Sequence, residues 1–147
     1  MTSTGMGLQS LNAIWPTAQP AARRDVLIMC PDERQREEYA GLFEQRGWKV
    51  ERSADCRTGI AVAINHDLRM AVIIADRGDR YTGALINCVR SRHPKAAIWL
   101  IGNPSELHVK EIAAEHQVLV LPPTTTPPGL EQIVFPQRMR HVREPIE

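Results

Sequence analysis

Short apolar segments alternate along the chain with polar segments of helical period. A continuous apolar run of about four to eight residues is typical of a strand buried on both faces, and strict alternation is typical of a strand with one exposed face. Five such segments follow one another, so the sequence predicts five strands. They are residues 26–29, 48–54, 69–76, 96–102 and 118–123.

Helical patterns lie between these strands. The segment DERQREEYAGLFEQRG places Tyr39, Leu42 and Phe43 on one stripe, and Gly47 follows as the predicted C-cap. The last helical segment, PPGLEQIVF, is short because Pro136 cannot continue a helix. The helices predicted between these two are at 56–67, 82–94 and 105–117.

Strands that alternate with helices predict an α/β fold, here a three-layer α/β/α sandwich around a five-stranded parallel sheet. In such a sheet any site lies beyond the carboxyl ends of the strands. The search for a site therefore narrows to the residues around the five predicted strand ends. These ends are Met29, Ala54, Ala75, Ile101 and Leu121.

Length, charge and cysteine usage narrow the function classes. The 147 residues suit one domain, and a net charge of +1 provides no field that would attract nucleic acid or a membrane surface. The three cysteines are widely spaced and the histidines are scattered, so neither disulfides nor a zinc site is predicted, and we expect a cytoplasmic location. We expect a flexible arm at 1–23, a domain at 24–135 and a basic, flexible tail at 136–147.

The segment VLIMCPDERQREEYAGLFEQRGWKVERSADCRTGIAVA resembles the response-regulator receiver domains of bacterial two-component signalling. It has their order of strand, acidic turn, helix arginine (Arg36), amphipathic helix, Gly-aromatic-x-Val and second helix. The resemblance extends over residues 25–134 and implies the receiver, or flavodoxin-like, sheet topology. It also implies a signalling role, with a magnesium-binding acidic pair and an aspartate that accepts phosphate.

The residues that the resemblance assigns to the magnesium site are replaced. Cys30 and Pro31 stand where the family has its acidic pair, and Pro31 offers no side-chain ligand. Asp32 and Glu33 are alternative ligands, but they lie at the start of a helix, where a carboxylate also serves as a cap. We therefore expect no cofactor, and magnesium only if the chain is phosphorylated.

The position of the phosphate acceptor is ambiguous. The interval to the next helix assigns it to Ala75, whereas side-chain chemistry assigns it to Asp76. Ile101 and Gly102 stand at the family hydroxyl, and Leu121 stands at the family lysine. Because phosphoryl transfer depends on a metal ion and on cations that stabilise the transferred group, these replacements indicate a degenerate receiver.

We therefore expect a non-enzymatic signalling module that acts by protein–protein contact without phosphorylation. Its partner is either a signalling protein or a second copy of the chain, as in a homodimer, and we expect neither membrane nor nucleic-acid binding. One alternative is a working acceptor at Asp76 that uses magnesium. Another is a thiol redox sensor at Cys30, near a helix start, where the competing interpretation is a buried, space-filling cysteine.

The partner surface is predicted at 105–135. The last helix is shortened, and a short helix uncovers apolar side chains on the flank of the sheet. In the opposite arrangement Phe135 folds back and covers this gap, and the sequence leaves both open. The interface candidates are Leu107, Val120, Leu130, Ile133, Val134 and Phe135.

Overall fold

The computed structural model describes residues 24–116 and 118–136. The predicted arm at 1–23 and nearly all of the predicted basic tail lie outside these residues. In chain order the elements are β1 (Asp25–Met29), α1 (Glu33–Glu44), β2 (Lys49–Ser53), α2 (Cys56–Asn65), β3 (Leu68–Ile74), α3 (Thr82–Arg92), β4 (Ala97–Ile101), α4 (Leu107–His116), β5 (Leu119–Leu121) and α5 (Pro127–Val134).

The five strands form one sheet in the order β2-β1-β3-β4-β5, and every neighbouring pair is parallel. The predicted fold class and topology are confirmed. The two interior strands β1 and β3 are the most buried, and all five residues of β1 are buried. Strands that are covered by helices on both faces require such continuous apolar runs.

Successive strand residues face opposite sides of the sheet, which gives the domain two cores. Leu27 and Ile73 pack with α2, α3 and α4 on one face. Val26, Ile28 and Val72 pack with α1 and α5 on the other face. The three layers predicted from the sequence are therefore present, and helices cover both faces of the sheet. No helix of the described residues is long and apolar enough to cross a membrane.

Helix ends differ slightly from the predicted ones. Asp32 caps α1, because its carboxylate accepts a hydrogen bond from the Gln35 backbone N–H at 3.0 Å. The helix ends at Glu44, and Gln45 follows as the first residue after it. Gly47 closes the helix, as predicted, with a φ of 85° that glycine adopts without steric cost. Its N–H donates to the Glu44 carbonyl at 3.0 Å, and the Trp48 N–H donates to the Phe43 carbonyl at 3.1 Å, which is the hydrogen-bond pattern of a glycine-terminated helix.

Candidate functional site

Cys30 follows β1 at the carboxyl edge of the sheet, the edge at which all five strands end. Its backbone N–H extends the β1–β2 ladder by donating to the Ser53 carbonyl at 2.9 Å. The thiol is fully buried, and its sulfur lies 3.5 Å from the Asp32 carbonyl and 3.5 Å from Gln35 Oε1. Burial is the main cause that raises the pKa of the Cys30 thiol. The side chain is therefore held as a neutral thiol.

A cation lies beside this strand end. Arg36, on the first turns of α1, donates from Nη1 to the Cys30 carbonyl oxygen at 2.7 Å. The Cys30 carbonyl is therefore already hydrogen-bonded, and the Arg36 guanidinium places a positive charge next to Cys30 and Pro31. Since like charges repel, this charge opposes the binding of a metal ion at the same strand end.

The acidic residues at the start of α1 are used by the helix. The Asp32 carboxylate is the N-cap described above, and Glu33 is the first helical residue and exposed. A carboxylate at this place satisfies a free backbone donor and complements the helix dipole. Both side chains that the sequence left open as metal ligands thus lie in the first turn of a helix.

Ala75 and Asp76 follow β3 with different roles. Ala75 continues the sheet, because its N–H donates to the Ile101 carbonyl at 2.8 Å. Asp76 leaves the sheet and starts a turn, in which its Oδ1 accepts from the Gly78 N–H at 3.1 Å and its carbonyl accepts from the Asp79 N–H at 2.8 Å. The carboxylate is half-buried and stabilises its own loop.

The residues after β4 pack tightly over Ala75. A Cβ placed on Gly102 would lie 2.8 Å from the Ala75 Cβ and 3.2 Å from Val109 Cγ2, so only glycine fits without movement. Ile101 is buried in the core shared with α1 and α5, and Leu121 also packs against that core. The positions of the family hydroxyl and lysine are therefore apolar and closely packed.

Aspartates at this edge serve the loops. Asp79 accepts from the Cys56 N–H at 2.8 Å and from the Tyr81 N–H at 2.9 Å, which ties the loop after β3 to the start of α2. Asp55 caps α2 by accepting from the Thr58 N–H at 2.7 Å. Within the described residues, the carboxyl edge brings no three Asp, Glu, His or Cys ligand atoms within 4.8 Å of one another.

The predicted partner surface is only partly exposed. Leu107 and Ile133 expose 67% and 42% of their surface, whereas Leu130 is fully buried and cannot contact a partner. Val120 packs against the core under α4, and Val134 packs against the core under α1. Leu119, on the edge strand β5, exposes 58% of its surface and is not one of the interface residues predicted from the sequence.

Phe135 covers the gap that the short α5 would leave. Its ring packs edge-on against Phe43 and Trp48, with centroid distances of 5.9 Å and 6.4 Å. The Arg46 guanidinium lies 4.2 Å from the centre of the same ring and binds Glu131 at 2.6 Å. The end of α5 is therefore fixed to α1, so Phe135 is not a free interface residue.

Comparison with solved structures identifies the fold. The chain superimposes on a CheY-like receiver domain from Methanospirillum hungatei JF-1 with a TM-score of 0.68 at 15% identity, covering 83% of this chain and 98% of that one. For CheY4 of Vibrio cholerae the TM-score is 0.65 at 16% identity, with coverages of 76% and 96%. This is the receiver fold.

A response regulator from Burkholderia pseudomallei, whose structure contains a phosphorylated aspartic acid, a calcium ion and citrate, matches with a TM-score of 0.63 at 13% identity. The match covers 82% of this chain and 75% of that one. No family model matches the sequence, and no curated protein matches it. At these identities the similarity concerns the fold, and the chemistry of the receiver pocket has to be argued from the side chains present.

Two hydrogen-bonding roles at the carboxyl edge were not predicted from the sequence. The contact of Arg36 with the Cys30 carbonyl was not predicted, because a helix arginine gives no sequence signal for its acceptor. The role of Asp79 was also missed. A sequence signal for it is the spacing to Thr82, whose hydroxyl donates to the Asp79 carbonyl at 3.3 Å at the start of α3.

Proposed function

We propose that this chain is a receiver-like signalling module that works by binding another protein without being phosphorylated. The observation that carries the proposal is the state of the carboxyl edge, where Cys30 is buried and the Arg36 guanidinium binds its carbonyl. A receiver-type reaction needs a metal ion and a free acceptor at this place. The proposal includes a cytoplasmic location and no enzymatic activity.

Packing at the same edge supports the proposal. Ala75 has no side-chain oxygen that could accept a phosphoryl group, and β4 approaches it so closely that a Cβ on Gly102 would lie 2.8 Å from the Ala75 Cβ. Asp76 is the carboxylate nearest to the acceptor position in sequence, and it accepts a hydrogen bond from Gly78. To accept a phosphoryl group through Oδ1, Asp76 would have to give up the hydrogen bond that stabilises its own turn.

The partner surface that we propose lies around β5. Leu119 is exposed on the edge strand, and Ile133 is exposed on α5, the helix that follows it. Leu107, at the start of α4, is a third exposed apolar side chain within residues 105–135. We propose that a signalling protein or a second copy of the chain covers Leu119 and Ile133, since an edge strand that exposes an apolar side chain offers a surface for pairing with another chain.

The test is a titration with magnesium and beryllofluoride, a stable mimic of an aspartyl phosphate. We expect no change in the fluorescence of Trp48 and Trp99 or in the amide spectrum up to millimolar magnesium. A saturable change that is lost in Asp76→Asn would instead establish a working acceptor at Asp76 and refute the proposal. Asp79→Asn is the matched control, because this neighbouring carboxylate is not a candidate acceptor.

Binding through β5 is tested by the double variant Leu119→Ser and Ile133→Ser. In sedimentation or light scattering, we expect self-association of the unmodified chain to depend on concentration and to be lost in the variant. If the unmodified chain stays monomeric, the partner is a different protein, and capture experiments should use the variant as the control. If the variant associates and binds partners as the unmodified chain does, the surface lies elsewhere.

Thiol chemistry at Cys30 is disfavoured by burial. A reactive cysteine needs a lowered pKa and access to solvent, whereas the pKa of Cys30 is raised by burial and its side chain is inaccessible. Burial also raises the pKa of Cys56, to about 12. We therefore expect native-state alkylation at the half-exposed Cys88 first. Fast modification of Cys30 would restore the redox-sensor hypothesis.

A further inference from the structure

Three metal-ligating side chains meet at the amino edge of the sheet, the edge at which the strands begin. Asp25 is the first residue of β1, Glu51 lies in β2, and His66 follows α2. One ligand atom from each residue lies within 4.8 Å of the other two. Asp25 is fully buried, and the Glu51 and His66 side chains expose only 18% and 30%.

The fold explains why residues so distant in sequence converge. Asp25 and Leu27 point to the same face of β1, and Glu51 is the neighbour of Leu27 in β2, so both carboxylates face the α2 side of the sheet. Helix α2 starts at the carboxyl edge and returns to the amino edge, where it ends at Asn65 and His66 follows as its C-cap. The parallel topology thus places two ligands on adjacent strands and the third directly after the helix that connects β2 with β3.

We propose that Asp25, Glu51 and His66 bind one divalent transition-metal ion, of which zinc is the type. His66 Nδ1 and Glu51 Oε2 lie 3.3 Å apart. That separation is roughly what two ligands show around a tetrahedral ion with bonds of about 2.0–2.1 Å. Two carboxylates with one imidazole leave a fourth position for water, and the imidazole favours a transition metal over magnesium or calcium.

Access to the site is open at His66. A cavity of about 520 Å³ lies beside it and is otherwise lined by Ile64, Asn65, Asp67, Arg92 and His93. An ion can reach the imidazole from this side, whereas Asp25 contributes its ligand from the interior. The site is separate from the receiver pocket, so the inference does not depend on the proposed signalling function.

Lys49 competes with the ion for the site. Its Nζ lies 3.6 Å from Glu51 Oε2, the oxygen that also faces His66. The Lys49 side chain is 60% exposed, so it can move into solvent when a metal ion arrives. If the three residues bind a metal ion, removal of the lysine charge should strengthen metal binding. If the cluster is held only by ion pairs, the same change should weaken it.

The experiment is a zinc titration of the full chain by calorimetry, with equilibrium dialysis to count bound ions. We expect one ion per chain. We also expect a rise of roughly 5–15 °C in the unfolding temperature when free zinc is about a hundredfold above Kd. When cobalt is bound in place of zinc, we expect visible absorption bands with the intensity typical of a four-coordinate cobalt ion. Absence of binding up to millimolar zinc would overturn the proposal.

Variants separate this site from other zinc-binding groups. Glu51→Gln and His66→Gln should each weaken binding at least tenfold, in line with the loss of a ligand, and circular dichroism verifies that both variants fold. Lys49→Met should tighten binding several-fold. His116→Gln, at the end of α4, is the matched control and should leave binding unchanged. Zinc binding that is insensitive to Glu51→Gln and His66→Gln would refute the assignment.

Discussion

The two edges of the sheet use their acidic residues in opposite ways. At the carboxyl edge Asp32, Asp55, Asp76 and Asp79 each accept a backbone N–H hydrogen bond, and each one holds a turn or a helix start. At the amino edge the carboxylates of Asp25 and Glu51 and the imidazole of His66 each place a ligand atom within 4.8 Å of the other two. The carboxyl edge, where the receiver fold usually has its metal site, thus uses its aspartates to hold loops and helix starts in this chain. The side chains that could bind a metal ion converge at the amino edge instead.

This difference teaches that a count of acidic residues near strand ends does not identify a metal site. A carboxylate that satisfies a backbone donor lies where the loop needs it, and its neighbours are N–H groups. A metal site requires several ligand atoms at mutual distances set by one ion. Four aspartates at the carboxyl edge fail this geometric condition, although they lie where the fold usually places a site.

The largest stability effect is expected at the amino edge. Phe135→Ala removes the ring that packs on Phe43 and Trp48 and that lies under Arg46. Because this ring closes the end of the core under α1 and α5, we expect a loss of about 2–3 kcal/mol in the free energy of unfolding, measured with urea. Phe135→Leu, which keeps most of the apolar volume, should lose about half as much. An unchanged stability in Phe135→Ala would mean that α5 is not fixed by this ring.

The next effect tests how tightly the carboxyl edge is closed. Gly102→Ala places a Cβ 2.8 Å from the Ala75 Cβ, so the strands must move apart. We expect a destabilisation of about 1–3 kcal/mol in thermal and urea unfolding. Gly41→Ala is the matched control, because no atom lies within 4 Å of its added Cβ, and this half-buried helix position should gain about 0.5–1 kcal/mol. A neutral Gly102→Ala would show that the packing of Gly102 against Ala75 and Val109 yields without cost, so the edge is not tightly closed.

A smaller effect distinguishes two aspartates of one loop. Asp79→Ala removes an acceptor that binds two backbone N–H groups and connects α2 with the loop after β3, so we expect a loss of about 1–2 kcal/mol. Asp76→Ala removes one exposed hydrogen bond within its own turn and should cost less than about 0.5 kcal/mol. Equal losses measured by urea unfolding would contradict the different roles assigned to these residues.

The sequence predicted the strands and their order because continuous apolar runs and intervening helices leave few parallel topologies. It also offered the cap role of Asp32, which depends on neighbouring residues only. It failed at Leu119 and Leu130, since both belong to apolar segments and only tertiary packing decides which one is covered. The cluster of Asp25, Glu51 and His66 could not be predicted from the sequence either. Its members come together only through the register of β1 and β2 and the position at which α2 ends.

The smallest effect is expected in acid and again concerns a capping carboxylate. The hydrogen bond from the Thr58 backbone N–H lowers the pKa of Asp55 in the folded chain below its ordinary value of 3.8. Such a group adds stability that is complete above the unfolded-state pKa and is lost as the pH falls through the lower folded-state pKa.

We therefore expect Asp55→Ala to be less stable than the unmodified chain at pH 7, by about 1 kcal/mol or less for an exposed cap. The difference should shrink below about pH 4, where the unmodified carboxylate becomes protonated. Urea unfolding at pH 7 and pH 3 measures both values. Exposed Glu111→Ala is the control, and its difference from the unmodified chain should stay near zero at both pH values. A difference for Asp55→Ala that does not change with pH would show that the carboxylate charge does not contribute to the cap. The aspartates at this edge would then stabilise their loops through hydrogen-bond geometry and not through their charge.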